Sequence, residues 1–258
     1  MTDLIGEPSV PQGAVQRLVA ILTALQQDGP TLGLSEIARK ANLPISTTRR
    51  FLLQLCEAKL LERQGNDYQI GIGFFEIGMK APFPKRLRQL ATSFMDDLHS
   101  ATEQNVHLGI LDDKGVLVIE QRAGRKSVRN PVNKNIRLPA HATANGKCLL
   151  AFSQPSRVEK LLAQDLRQIT PHTVTCIKTL EEQLEEIRQR GWSLGEQENS
   201  LGTISVGTPI FGADGYAIAA LSLVVPSTTK MVKPYAHAVK TTATTITRLW
   251  NQQQLLDI

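Results

Sequence analysis

Three cysteines in 258 residues, Cys56, Cys148 and Cys176, form no CxxC pair and no even set. That count argues against a disulfide framework or structural zinc and fits a reducing cytoplasm. Histidines are few and scattered: His99, His107, His141, His172 and His237 show no HExxH and no Cys/His spacing for a metal. No GxSxG, Walker or GxGxxG motif stands in its proper context, so no catalytic residue, no metal and no cofactor is expected. Aromatic residues make up only 5% of the chain. The N-terminal MTDLIGEPSVPQG lacks a basic region followed by an apolar core, so it does not read as a signal peptide. The longest apolar run, AIAALSLVV, is too short to cross a bilayer. A soluble chain with no membrane association is expected, long enough for two domains.

Net charge is +5, and its distribution is informative. Residues 38 to 63 hold six basic and two acidic side chains, while residues 1 to 80 balance at eight of each. The positive field is therefore local. It coincides with LGLSEIARKANLPISTTRRFLLQLCEAKLLERQGNDYQIG, residues 32 to 71. Ser35 can cap a helix over Glu36 to Lys40, and Asn42 and Pro44 break it. A second helix starts at Ser46 or its neighbour and runs to about Lys59. Thr48, Phe51, Leu52 and Leu55 share its apolar face at a 3.6-residue period. Ser46, Thr47, Arg50 and Gln54 lie opposite, and Arg49 adds charge. Such groups reach phosphates and base edges. LLERQ and the run after Gly65-Asn66-Asp67 read as a hairpin with Arg63 near its tip. Cap, turn, polar helix face and hairpin in this order imply a winged helix-turn-helix on double-stranded DNA. An arginine pair alone is usually only solvated surface; the joint pattern carries the reading. Before it, residues 11 to 28 place Val15, Leu18, Leu22 and Leu25 on one helical face as packing support.

GIGFFEIGMKAPFP then reads as a joint with a helical turn over Phe74 to Met79. Domains are expected over 1–72 and 85–258, with 73–84 as a linker helix or joint. The second domain alternates periods. Leu87, Leu90, Ala91, Phe94, Met95 and Leu98 mark a helix. NVHLGILDDKGVLVIEQRA, WSLGEQE, TISVGTPIF and YAIAALSLVV read as strands. ATANGKCLLAF reads as a helix capped by Thr143, and another helix is expected to start at a Thr179 cap. This is an α+β chain with a mostly antiparallel sheet.

These segments together resemble the isocitrate lyase regulator (IclR) family of bacterial transcription factors. The resemblance rests on LSEIARKANLPISTTRRFLLQLCEAKLLER, LPAHATANGKCLLAF, RQRGWSLGEQENSLGTISVGTPIFGADG and IAALSLVVPS, and spans nearly the whole chain. It implies an N-terminal winged helix-turn-helix plus a C-terminal GAF-like effector-binding domain. It also implies a homodimer or homotetramer on a palindromic operator, and a small metabolite as effector, often an organic acid.

The helix start at Thr143 offers free backbone N–H groups from Ala144, Asn145 and Gly146, a ready place for an anion. In the family this helix start and facing strands line the effector site, which points to Gly195, Ser205 and Ser222, with Glu198 close by. Gly195 stands where many members carry an acid, Ser205 where many carry cysteine, and Val224 where a second hydroxyl is common. Strand serines are otherwise ordinary small core residues. The basic stretch between residues 114 and 137 sets seven basic side chains against Glu120 alone. It reads mainly as a solvated loop, with Arg125, Arg129, Arg137 and His141 as weaker candidates for an acid group. Two rival readings are a metabolite-binding or enzymatic module with a relic helix-turn-helix, and an architectural DNA binder without ligand.

Overall fold

Apolar spacing builds a first unit over Met1–Lys85 and a second over Arg86–Ile258. The computed structural model describes residues 13–27, 29–124, 137–163 and 165–256. The first unit runs α1 (Ala14–Gln27), β1 (Leu32–Gly33), α2 (Leu34–Lys40), α3 (Ile45–Glu57), β2 (Leu61–Gln64), β3 (Asp67–Ile70) and α4 (Ile72–Gly78). Ile21, Leu25, Ile37, Leu43, Leu52, Leu55, Leu61 and Tyr68 form its core. The buried strip of α1 is Ile21, Ala24 and Leu25, whereas Val15 and Val19 are exposed. That strip is turned roughly a quarter of the helix circumference from the Val15 side, so the expected apolar face of α1 is only half used inside the unit.

Ser35 does not cap α2. The helix begins one residue earlier, with Gly33 at the cap position and no side-chain bond. The cause is β1, which pairs Leu32 with Tyr68 and Gly33 with Asp67 and fixes the backbone just before the helix. The turn after α2 is tight: Asn42 is left-handed at φ 51°, and the Leu43 N–H donates to the Ala38 carbonyl at 3.0 Å. Pro44 then caps α3, and its carbonyl accepts from the Thr48 hydroxyl at 3.1 Å. The wing closes through Gly65-Asn66, and Asp67 belongs to the strand, opposite Gln64. Gly65 takes φ 62°, which a first turn residue in a two-residue hairpin of the II′ kind requires.

The second unit carries α5 (Pro82–Thr102, entering from the first unit), β4 (Asn105–Asp112), β5 (Gly115–Arg122), β6 (Arg137–Leu138), α6 (Ala144–Ala151), α7 (Pro155–Leu162), α8 (Ile177–Arg190), β7 (Ser193–Glu196), β8 (Thr203–Phe211), β9 (Ala217–Pro226) and α9 (Lys233–Leu256). Among the described residues, six strands form one sheet in the order β6-β5-β4-β9-β8-β7, and every pairing is antiparallel. Residues of β8 are buried almost without alternation, which marks a sheet covered on both faces. α6 packs on β7, β8, β9 and β4, and α9 packs on β8 and β9. α5 is tied to β5 by Arg88–Glu120 at 3.0 Å and by Asp96–Arg122. Thr179 caps nothing: α8 starts at Ile177 after Cys176.

α6 is buried along all eight of its residues. Gly146 makes this possible. A Cβ there would fall 2.1 Å from the Ala140 carbonyl oxygen, and backbone cannot move aside cheaply. Gly146→Ala should therefore lower the second unit's unfolding free energy by about 1–3 kcal/mol or more. Urea unfolding followed by circular dichroism checks it; an unchanged midpoint would show that the loop at Ala140 yields.

Candidate functional site

Two places gather polar groups without an evident structural need. The first is α3. Thr48, Leu52 and Leu55 are buried beneath it, while Ser46, Arg49, Arg50, Leu53 and Gln54 are exposed and Thr47 is half-exposed. The polar face expected from the sequence is thus open to solvent. Ile45, exposed at 54% at the head of the helix, adds an apolar group that the sequence reading passed over. The Arg50 guanidinium lies 5.9 Å from the Phe51 ring centroid, at the outer limit of cation–π attraction. Arg63 donates from Nε to the Gly65 carbonyl at 2.8 Å, so it is folded onto the wing tip. Ser35 is exposed on α2.

The second place is a cavity at the start of α6. Thr143 caps this helix, its Oγ1 accepting from the Gly146 N–H at 3.1 Å. The Gly146 N–H is therefore consumed, and Gly146 does not line the cavity. Its role is close packing, which corrects the expectation that it offers a free donor to ligand. The Ala144 and Asn145 N–H groups have no acceptor within the helix, and both residues line the cavity.

Strand register brings the facing wall together. Gly195 stands opposite Ser205, Ser205 opposite Val224, and Val224 opposite Asn105. Two residues along, on the same face, Gly207 stands opposite Ser222 and Ser222 opposite His107. Glycines let α6 sit against this wall. A Cβ on Gly207 would lie 2.9 Å from the Ala144 carbonyl, and one on Gly195 would lie 3.2 Å from the Ala144 nitrogen and 2.8 Å from Ser205 Oγ. The Ala144 carbonyl accepts from Ser193 Oγ at 2.6 Å.

Thr143, Ala144, Asn145, Gly195, Glu198, Ser205 and Ser222 all line one cavity, with His107, Leu138, Gln197, Asn199, Ser200 and Thr203 added. It is tight: about 40 Å³ is open to the centre of a water-sized sphere, within about 500 Å³ free of atoms. His107 was set aside on sequence because a lone histidine is usually structural; only its pairing with Ser222 across strands reveals it. Beside the cavity, Lys147 is buried and its Nζ lies 2.6 Å from Glu198 Oε1 and 2.7 Å from Gln183 Oε1. Burial pulls the Lys147 ammonium below its ordinary range, and Glu198 opposes that fall.

Of the basic-loop candidates, Arg125 and Arg129 lie outside the described residues. Arg137 pairs with Asp112 at the surface. His141 is buried with Nε2 3.0 Å from the Arg167 carbonyl, and it does not line the cavity. Among the described residues there is no cluster that could hold a metal ion, and no helix is long and apolar enough to cross a membrane.

A winged helix-turn-helix with an exposed polar helix, on one chain with a GAF-like sheet domain that closes a polar cavity, defines a DNA-binding regulator. The family model described as "Bacterial transcriptional regulator IclR C-terminal" matches residues 84–248, and the IclR helix-turn-helix domain matches residues 14–65. The chain belongs to the IclR family of bacterial transcriptional regulators. It is 29% identical to the HTH-type transcriptional regulator KdgR of Dickeya chrysanthemi, over 88% of this chain and 75% of that protein. It is 30% identical to the HTH-type transcriptional repressor AllR of Escherichia coli K12, over 86% of this chain and 83% of AllR. Among solved structures, an IclR homolog from Microbacterium hydrocarbonoxydans complexed with 4-hydroxybenzoate superposes with a TM-score of 0.85 at 27% identity, covering 92% of this chain and 98% of that one. Thermotoga maritima IclR gives 0.72 at 26% identity, covering 92% and 98%. Relatives are named as regulators and repressors, so the chain is a transcription regulator and not an enzyme.

Burial pushes the His107 imidazole down from 6.5 to about 4. The unfolded chain takes up this proton first. The neutral-His107 contribution is thus complete above pH 6.5 and is lost as pH falls towards 4. It amounts to about 3 kcal/mol at most. Unfolding of wild type and His107→Gln across this range should show the wild type losing more stability on acidification. Parallel curves would remove His107 as the source.

Proposed function

We propose that the chain is a ligand-responsive regulator of a metabolic operon, working in the cytoplasm. Residues 1–72 act as the DNA-binding domain, 73–84 as the joint and 85–258 as the effector-binding domain. α3 enters the major groove of a palindromic operator. Ser46, Thr47, Arg49, Arg50 and Gln54 supply base and phosphate contacts, and Ser35 and Arg63 touch the backbone from α2 and the wing. Ile45 suits contact with a thymine methyl. The observation that carries this half is the exposed polar face of α3 above a fully buried back.

A palindrome calls for two copies, because one winged helix offers too few contacts for tight specific binding. Val15 and Val19 on α1, exposed at 73% and 55%, and Phe75 and Ile77 on α4, exposed at 63% and 61%, support a homodimer or homotetramer. Sedimentation at micromolar concentration checks this, with a lone monomer bound to the operator as the contrary result.

The effector is a small carboxylate held at the α6 N-terminus. The Ala144 and Asn145 N–H groups and the helix dipole favour an anion, and the Ser205 and Ser222 hydroxyls face the same space. The carboxylate in the Microbacterium homolog's ligand supports the class. The small cavity restricts the ligand to a few heavy atoms unless the wall opens.

Arg50→Ala should weaken operator binding by about 1–3 kcal/mol if Arg50 reads a base, or lower the salt slope if it touches phosphate. Thermal stability should stay put. Ala144→Leu should block a panel of small acids in calorimetry while operator binding persists. Equal acid binding by wild type and Ala144→Leu would move the site elsewhere.

A further inference from the structure

The cavity's polar groups are not all donors. Glu198 is 6% exposed and lines the cavity. Lys147 Nζ lies 2.6 Å from each of its carboxylate oxygens. Only Oε1 receives a properly aligned hydrogen bond; Oε2 is buried with no donor among the described residues. A carboxylate has about four lone-pair sites, and one lysine satisfies a minority of them. Asn145, 3% exposed on the cavity wall, likewise has a buried Oδ1 without a donor. Polar atoms in such a state are costly to leave unmade.

Glu198 is also held in place. Its backbone carbonyl accepts from Thr173 Oγ1 at 2.6 Å and from Thr170 Oγ1 at 3.2 Å. Lys147, which neutralises the carboxylate, is itself fixed by Gln183 on α8. The carboxylate therefore stands as a neutralised acceptor that does not repel an acid sharing the cavity. As a purely structural device this pair is a poor choice, since apolar residues of the same volume usually serve stability as well.

We propose that the effector carries, apart from its acid group, a hydroxyl or amine hydrogen that the Lys147-paired carboxylate of Glu198 accepts. This rests on the carboxylate-pocket reading above and deepens it: the α6 N-terminus takes the acid, and Glu198 selects for a donor. A simple apolar acid leaves the Glu198 and Asn145 acceptors unmade, which is how a buried polar site discriminates strongly.

The test is calorimetry of the full-length protein with two matched sets of different span: glycolate, acetate and methoxyacetate; and 4-hydroxybenzoate, benzoate and 4-methoxybenzoate. In at least one set, the hydroxy acid should bind ten- to a hundredfold tighter than both counterparts, roughly the worth of a charge-assisted hydrogen bond. Replacing both partners, Lys147→Met with Glu198→Met, should bring hydroxy and unsubstituted acid within about twofold while acid binding persists. If that double variant does not fold, Glu198→Gln, which keeps the shape and loses the charge, should reduce the preference several-fold. Equal binding of all three members in both sets by the wild type overturns the inference and leaves the carboxylate pocket standing. A preference undiminished in the variants overturns the role of Glu198. Binding of none of the six acids fails the pocket reading itself, and this inference with it.

Discussion

The seating of α6 inside the sheet is the constraint on which the second unit depends. A helix of eight residues, all buried, must find its polar backbone ends a partner. Thr143 satisfies one donor, and Ser193 takes the Ala144 carbonyl. The Ala144 and Asn145 N–H groups remain at the one end where the sheet leaves a cavity. Gly146, Gly195 and Gly207 are the positions where a side chain would collide with this seating. The site is thus what close packing leaves unfilled. The same glycines that permit the fold also decide what the cavity can hold.

Lys147 extends that constraint. Driving α6 inward carries an ammonium into the interior, and an unpaired buried charge would be far more costly than the pair. Glu198 and Gln183 answer it from the β7–β8 connection and from α8. Three segments of the domain consequently meet at one ion pair on the cavity's edge. A ligand that engages Glu198 acts on a network that includes α6, α8 and the residues around Thr170 and Thr173. That network gives the pocket physical purchase on its own domain.

Much of the first unit was legible in the sequence because its elements obey simple periods. Thr48, Leu52 and Leu55 went inward as their spacing dictated, and the polar residues of α3 went outward. The errors there arose from tertiary detail. β1 is two residues long and has no periodicity to read, yet it sets the start of α2 and displaces Ser35 from the cap. Val15 obeys the helical period but lies off the strip that the unit covers. In the second unit the Thr143 cap was readable as a local motif. His107 was not, because it joins the cavity only through β4–β9 register. Gly146 looked like a ligand contact and is a packing residue, since nothing in the sequence announces that the Ala140 carbonyl lies against it. The resemblance to the IclR family supplied the strand positions Gly195, Ser205 and Ser222, which spacing alone left as ordinary core.

A regulator needs its two sites to be coupled, and coupling is an energy that can be measured. The most direct measurement is fluorescence anisotropy of a labelled operator fragment, titrated with the protein in the presence and absence of its best-binding small acid. Coupling of the usual size, about 1–3 kcal/mol, changes operator affinity by roughly five- to 150-fold. Ala144→Leu should bind the operator while losing that change. An acid that binds the wild type tightly in calorimetry yet leaves operator affinity unaltered would contradict the assignment of the α6 cavity as the site that controls DNA binding.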